Sequence, residues 1–317
     1  MSLLKIVITG GSGFIGTHLI QYLSSTNIEM ILLVRSKNSQ IPSKIKQILI
    51  SEFLDDKCTK QSLVQGVSAF VHLAGIAHMF DDNQNKSLYD EVNVFLTKKL
   101  ALQAIHYGIK KFVFLSSIKV CGEKTEEGEF FNHNSNPKPV GAYAASKAKA
   151  ENILRNLSRQ NPIDVVIIRP PLVYGKGVKG NLQFLLKCMR RNLPIPLGNI
   201  KSNKRSIVFV DNLNDFILTC VKSHKTLNST FVVSDAENIS TTELVQKMLE
   251  LTASRSFLLP FPTRIASLVS QLLQIQHKLP SFTENLQVEQ SFNSEVLGWT
   301  PPFSAENGFK AWLSEPI

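Results

Sequence analysis

The sequence predicts an α/β fold, a doubly wound parallel sheet with a smaller C-terminal lobe, on three observations. Strand-like runs are apolar throughout and alternate with helical segments, as strands buried on both faces do. A glycine-rich turn joins the first of these runs to the first helical segment. The alternation then weakens after Pro170-Pro171, which sets the remainder apart. A chain of 317 residues is long for one ordinary domain and fits one large α/β unit with an appended lobe.

Taken in order, Lys5 to Thr9 is the first strand and stops at Gly10, and Phe14 to about Ser24 has helical spacing. Met30 to Val34 is the second strand, ending at Arg35, and Ile48 to Phe53 the third. A helix is expected around Cys58 to Gly66, and Ala69-Phe70-Val71-His72-Leu73 is the fourth strand. A long helical segment covers Leu88 to Tyr107, Lys111 to Leu115 is the fifth strand, Ala144 to Arg159 is helical, and Val165 to Ile168 is the sixth strand. In open sheets of this kind the ligand lies beyond the C-terminal strand ends. Residues 1–171 are therefore expected to form the main domain, with 204–234 returning to it through Ser206 to Val210 and Thr230 to Val233. Residues 172–203 and 235–317 are expected to fold over that edge as a substrate lobe. Within it Phe261 to Gln276 carries an apolar stripe (Ile265, Leu268, Val269, Leu272, Leu273) that reads as a lid or packing helix, or more sharply as an interfacial helix.

Composition narrows the class. Apolar residues make up 43% and charged residues 19%, which suits a globular chain with a large core. The first residues lack the layout of a signal peptide, and no apolar run is long enough to span a bilayer. Cys58, Cys121, Cys188 and Cys220 are scattered with no CxxC pair, so reduced thiols in a cytoplasmic protein are expected rather than a disulfide or zinc framework. No metal is expected, because His72, His78, His106 and His133 have no ligand spacing. The net charge of +10 reads as a basic surface or a field for anionic ligands. No nucleic-acid partner is expected, since the lysines and arginines are spread along the chain without a concentrated aromatic-bearing patch.

The turn Thr9-Gly10-Gly11-Ser12-Gly13-Phe14-Ile15-Gly16 is a G-x-x-G-x-x-G pattern between strand and helix. Gly10 permits the tight turn, Gly13 lets the backbone approach a pyrophosphate, and Gly16 lets helix pack on strand. The helix N-terminus then offers free N–H groups to the anion. This is the dinucleotide-binding turn of a Rossmann fold. The second strand ends in Val34-Arg35-Ser36-Lys37 with no carboxylate for a ribose 2′-hydroxyl, and a guanidinium suits a 2′-phosphate. NADP is therefore expected ahead of NAD, bound through Arg35 and Ser36.

Tyr143-Ala144-Ala145-Ser146-Lys147 opens a helix, and i, i+4 spacing puts Tyr143 and Lys147 on one face. A nearby ammonium is expected to lower the phenol's pKa and make it an acid–base group. Ser117 closes the fifth strand at the ligand edge, where its hydroxyl can bond both the phenol and a reacting oxygen.

These residues in this order resemble the extended short-chain dehydrogenase/reductase superfamily over essentially the whole chain. The resemblance implies a catalytic triad of Ser117, Tyr143 and Lys147, with Lys147 also holding the nicotinamide ribose. It implies that Phe14 and Ile15 touch the pyrophosphate, that Glu52 and Phe53 flank the adenine, and that Leu73, Ala74 and Gly75 pass beneath the riboses. Asn93 is implied to order the site, and Pro170 joins the cofactor-binding set. Three stretches (116–123, 169–181 and 196–213) resemble bacterial sugar-nucleotide enzymes of cell-surface polysaccharide synthesis, either UDP-sugar 4-epimerases or 4-keto-sugar reductases. In these Asn181 and Arg205 match residues that hold the nucleotide diphosphate of a UDP-sugar. Cys121 stands where tyrosine or asparagine is frequent, and Leu172 where UDP-galactose epimerases carry a substrate-binding asparagine. The leading expectation is hydride transfer to C4 of a UDP-4-keto-6-deoxy-hexosamine, with 4-epimerisation as the alternative. A homodimer is left open.

Overall fold

The computed structural model describes residues 4–39, 41–55, 64–77, 85–252, 254–260 and 280–314. Its main sheet is built from β1 (Leu4–Thr9), β2 (Ile28–Val34), β3 (Lys46–Leu49), β4 (Val67–His72), β5 (Lys111–Leu115), β6 (Asp164–Arg169) and β9 (Thr230–Val232). These seven strands are all parallel and run in the order β3-β2-β1-β4-β5-β6-β9. A second sheet pairs β7 (Leu172–Tyr174) in parallel with β8 (Arg205–Phe209), which takes β10 (Asn238–Ile239) antiparallel on its other edge.

Helices in the described residues are α1 (Phe14–Ser24), α2 (Ile50–Phe53), α3 (Lys86–Tyr89), α4 (Leu96–His106), α5 (Gly141–Gln160), α6 (Asn181–Arg190), α7 (Val210–Lys222) and α8 (Thr241–Leu251). Short helices α9 (Pro280–Thr283), α10 (Ser291–Leu297) and α11 (Ala305–Leu313) follow.

The apolar strands are continuous because alternate residues feed two cores. Ile6, Ile8, Val71, Val113, Val166 and Ile168 point to one face, against Leu19 and Leu23 of α1 and Phe216 and Ile217 of α7. Val7, Ile31, Phe70, Phe112, Phe114, Val165 and Ile167 point to the other, against Leu100 and Ala104 of α4 and Ala150 and Leu154 of α5. A third core lies in the lobe, where Tyr174, Leu185, Met189, Phe209, Val245, Met248, Phe309 and Trp312 come together. Phe14 and Ile15 also pack against it, so the glycine turn stands where the two units meet.

Three expectations change. The run expected as strand Ile48 to Phe53 splits: β3 pairs with β2 only up to Val34↔Leu49, where β2 itself ends, and the chain turns into α2. The expected return of Ser206 to Val210 to the main sheet does not occur. Arg205–Phe209 pairs with β7, and only α7 and β9 go back to cover and extend the large sheet. The helix expected from Leu88 begins at Lys86 and runs as a wider π-helical turn from Asp90 to Phe95 before α4. Most of the helix expected around Cys58 to Gly66, the stripe at Phe261 to Gln276, and His78 lie outside the described residues.

Candidate active site

The glycine turn is built so that side chains would block it. Gly10 has φ +76°, and a Cβ there would stand 2.6 Å from the Ala74 nitrogen. Gly13 donates its N–H to the Gly10 carbonyl at 3.0 Å, and a Cβ on Gly16 would overlap that same carbonyl. Helix α1 follows at once, with no side-chain cap and no carboxylate in its first turn. Its N-terminal amides and dipole are thus left for an anion. Leu73 and Ala74 run alongside, their N–H groups donating to the Thr9 carbonyl at 3.3 Å and the Thr9 hydroxyl at 3.4 Å.

Beyond β5, Ser117 caps a single 3₁₀ turn (Ile118–Val120), its Oγ accepting from Lys119 N–H at 3.3 Å. Pro170, after β6, braces this turn by accepting Ile118 N–H at 3.0 Å. Tyr143, in the first turn of α5, stands where the Ser117 side chain acts on its phenol. Lys147, a turn later, donates to the Leu115 carbonyl at 2.9 Å and lies 4.6 Å from the centre of the Phe114 ring. A Cβ on Gly75 would stand 3.1 Å from both Lys147 Nζ and Asn93 Oδ1, so all three converge.

Asn93, fully buried in the π-helical turn, accepts from Ile76 N–H at 2.9 Å. It donates to Ile76 O at 3.0 Å and to Ser146 Oγ at 2.9 Å. This one amide ties the segment after β4 to the residue before Lys147. Ser117, Tyr143, Lys147, Asn93 and Gly75 therefore form one cluster at the strand ends, facing the glycine turn across Ala74.

Its electrostatics differ from expectation in one respect. Burial holds the Tyr143 phenol above its ordinary value, and the neighbouring Ser117 side chain pulls the other way. The expected lowering by Lys147 is not the governing effect: burial outweighs it, and the amine itself points to the Leu115 carbonyl and the Phe114 ring. Burial lowers Lys147 itself to about 8, with Glu151 opposing. His72 beneath the cluster bonds the Thr9 hydroxyl at 2.6 Å and the Thr97 hydroxyl at 2.8 Å. Burial and Lys147 hold it down to about 3, so it stays neutral.

The remaining expected residues are more dispersed. Arg35 and Ser36 are exposed just past β2, and Arg35 has no partner among the described residues. Glu52 is half-buried on α2. The Phe53 ring packs inward against Phe70 and Tyr107, with centroids 5.8 and 5.2 Å away. That ring belongs to the core, and only the backbone and Glu52 remain for an adenine. Asn181 opens α6 after Gly180 at φ +72°. Arg205 starts β8 and donates from Nη1 to the Glu284 carbonyl at 2.8 Å. Its buried Nε has no acceptor among the described residues, and burial pushes the guanidinium down to about 10.

Sequence reasoning missed the pair that locks this cluster. Glu151 accepts from Ser116 Oγ at 2.6 Å, from Arg169 at 3.0 and 2.6 Å, and from Arg155 at 3.1 Å. Arg169 also donates to Cys121 Sγ and Ser135 O, each at 3.1 Å. The ion pair clamps α5 to the ends of β5 and β6, and removing one partner of such a buried pair costs about 3–5 kcal/mol. The signal available was Glu151 at i+4 from Lys147, on the same helix face. Among the described residues no group of three or more His, Cys, Asp or Glu stands together as a metal site would require.

The model of the NAD dependent epimerase/dehydratase family matches residues 6–234. This chain belongs to the NAD-dependent epimerase/dehydratase family. The chain is thus an enzyme of the extended short-chain dehydrogenase/reductase type. Another member, UDP-glucose 4-epimerase of Vibrio cholerae, is 37% identical over 309 residues, 96% of this chain and 93% of that protein. Two solved structures share the fold. UDP-N-acetylglucosamine 4-epimerase from Bacillus cereus superposes with a TM-score of 0.78 at 17% identity, covering 97% of each chain. UDP-glucose 4-epimerase of Thermus thermophilus, in complex with NAD, gives 0.77 at 21% identity, covering 98% of each. The residues present fit a dinucleotide: Gly10 and Gly16 keep the turn tight, since a Cβ at either would strike protein backbone, and the amides opening α1 carry no side-chain cap.

Proposed function

We propose that this chain is a 4-epimerase of UDP-hexoses or UDP-N-acetylhexosamines. The observation that carries the reading is the relationship to the Vibrio cholerae UDP-glucose 4-epimerase over nearly the whole of both chains. It reverses the order expected from sequence, which put reduction of a UDP-4-keto-6-deoxy-hexosamine first.

Gly10, Gly13, Phe14, Ile15 and Gly16 would hold the pyrophosphate of the cofactor, and Asn93, Gly75 and Lys147 would line its ribose. Bound there, the nicotinamide supplies a hydride acceptor and donor for sugar C4. Ser117 holds the C4 oxygen by its hydroxyl. In its ionised form, which Ser117 favours against burial, Tyr143 would take the proton of that oxygen as the C4–H bond breaks and return it when the opposite face is reduced. Lys147, near pKa 8, is mostly charged at neutral pH and keeps the pocket positive. Arg205, with its spare Nε, and Asn181 at the start of α6 clamp the diphosphate, which leaves the sugar free to turn over between the two steps. A cytoplasmic location and a homodimer accompany this reading as expectations.

A second reading, the NADP-dependent 4-ketoreductase, is favoured by one feature. Arg35, Ser36 and Lys37 end β2 without a carboxylate, where an NAD site usually places one. The experiment that separates the two is denaturation of gel-filtered protein, followed by assay of the released nucleotide and of epimer formation with no cofactor added. Stoichiometric NAD and conversion of UDP-glucose or UDP-N-acetylglucosamine are expected. An empty protein that turns over only with NADPH and a 4-keto sugar nucleotide gives the second reading. In that case Arg35→Asp should weaken NADP binding while sparing NAD.

A further inference from the structure

The charges of this chain are unevenly placed once cations and carboxylates are counted together. Gly175 to Val210 contains eight Lys and Arg and no Asp or Glu, and Leu251 to Thr283 contains three and again none. The rest of the chain has 24 cations against 25 carboxylates, so these two segments account for the whole net charge of +10. Within these two segments of the lobe no carboxylate opposes the cations, so their basic charge is local rather than evenly spread.

The fold sets the two segments side by side. Ile195 donates to the Phe257 carbonyl at 2.9 Å, Leu259 donates to Ile195 at 2.9 Å, and Gly198 donates to Leu259 at 3.0 Å. The Asn192 side chain accepts Arg255 N–H at 2.8 Å, and Ser254 Oγ donates to Met189 O at 2.6 Å. Three large apolar side chains stand in solvent here: Phe184 is 60% exposed, Phe257 56% and Leu193 44%.

Phe184, Lys187 and Arg191 follow at i, i+3 and i+7, so they share one face that runs down α6 to Asn192 and the Arg255–Phe257 segment. Lys187, Arg190, Arg191 and Arg255 make no ion pair among the described residues, and Arg190 and Arg191 are exposed. A lone exposed Phe needs no explanation. Three exposed apolar side chains among four unneutralised cations are the pattern of a surface that meets both hydrocarbon and phosphate.

We propose that this face of the lobe docks on an anionic phospholipid bilayer. Phe184, Leu193 and Phe257 enter the boundary between headgroups and acyl chains, and Lys187, Arg190, Arg191 and Arg255 meet lipid phosphates. No helix of the described residues is long and apolar enough to cross a membrane. A nucleic acid would use the same cations but would stack on aromatic rings, and Leu193 offers no such face. The proposal stands on charge and exposure alone and does not depend on which reaction the active site runs.

The test is co-sedimentation of the full chain with sucrose-loaded vesicles of phosphatidylcholine with phosphatidylglycerol, and of phosphatidylcholine alone. Binding is expected to the anionic vesicles only and to weaken with salt. The double variants Phe184→Ser/Phe257→Ser and Arg190→Gln/Arg191→Gln should each lower the partition coefficient about tenfold, with melting temperature and turnover of a water-soluble substrate unchanged. No binding to anionic vesicles would overturn the proposal, as would equal binding to both compositions or indifference to both double variants. It also fails if a single-stranded oligonucleotide displaces the vesicles and the Phe pair matters equally for its binding.

Discussion

The main sheet and the lobe hold their functional groups by different means. In the sheet, β1 to β6 have four to seven residues and alternate between two cores. Ser117 and the glycine turn sit at strand ends fixed by pairing inside that sheet, and Lys147 of α5 is bonded to the end of β5. In the lobe, β7 and β10 have three and two residues, and Arg205 is held by the carbonyl of Glu284, 79 positions away. Chemistry carried by the sheet is positioned by local pattern, whereas chemistry in the lobe is positioned by distant backbone. Substitutions should therefore separate the two: sheet-side changes strike turnover, and lobe-side changes strike nucleotide binding.

The largest expected effect is on the sheet side. Tyr143→Phe should lower turnover by at least ~10²-fold and leave cofactor affinity nearly intact, because only the proton-carrying oxygen is lost. Product chromatography and calorimetry with the cofactor check the two halves, and near-normal turnover would remove Tyr143 from the mechanism.

Next comes the lobe. Arg205→Ala should weaken UDP binding by ~1.5–3 kcal/mol, the scale of hydrogen bonds to a charged group, while cofactor affinity stays put. Equal loss of both in calorimetry would show that Arg205 serves the lobe's packing against Glu284 instead, and the division between the regions would blur.

The smallest effect is in pH. Lys147 is held at about 8, well below a free lysine, so its ammonium is lost as pH rises through that value. Turnover should fall on the alkaline side with a midpoint near 8. In the residual activity of Lys147→Arg, which keeps its charge, that limb should disappear. Stability moves the other way. Between about 8 and the unfolded lysine value the unfolded chain binds the extra proton, so this group adds stability as pH rises across that window.

The contrast also explains what could be read in the sequence. Gly10, Gly13 and Gly16, the Ser117 strand end and the Tyr143–Lys147 turn are local spacings, and the fold class followed from strands apolar on both faces. The end of β3 was misread because Ile48 to Phe53 is uniformly β-rich, and only the length of its partner β2 stops it at Leu49. The Tyr143 pKa was expected to fall because spacing shows that Lys147 is near, but not that burial outweighs it or that the Leu115 carbonyl takes the amine. Arg169 looked like one residue of a motif. Its grip on Glu151 depends on α5 crossing β6, which no local pattern carries.

The most direct test of the account follows the hydride itself. Wild-type protein, given UDP-glucose or UDP-N-acetylglucosamine carrying deuterium at C4 and no added cofactor, should form the C4 epimer with the label still at C4. Tyr143→Phe should form almost none. Loss of the label to solvent, or an epimer formed equally well by Tyr143→Phe, would contradict hydride transfer at C4 by this site.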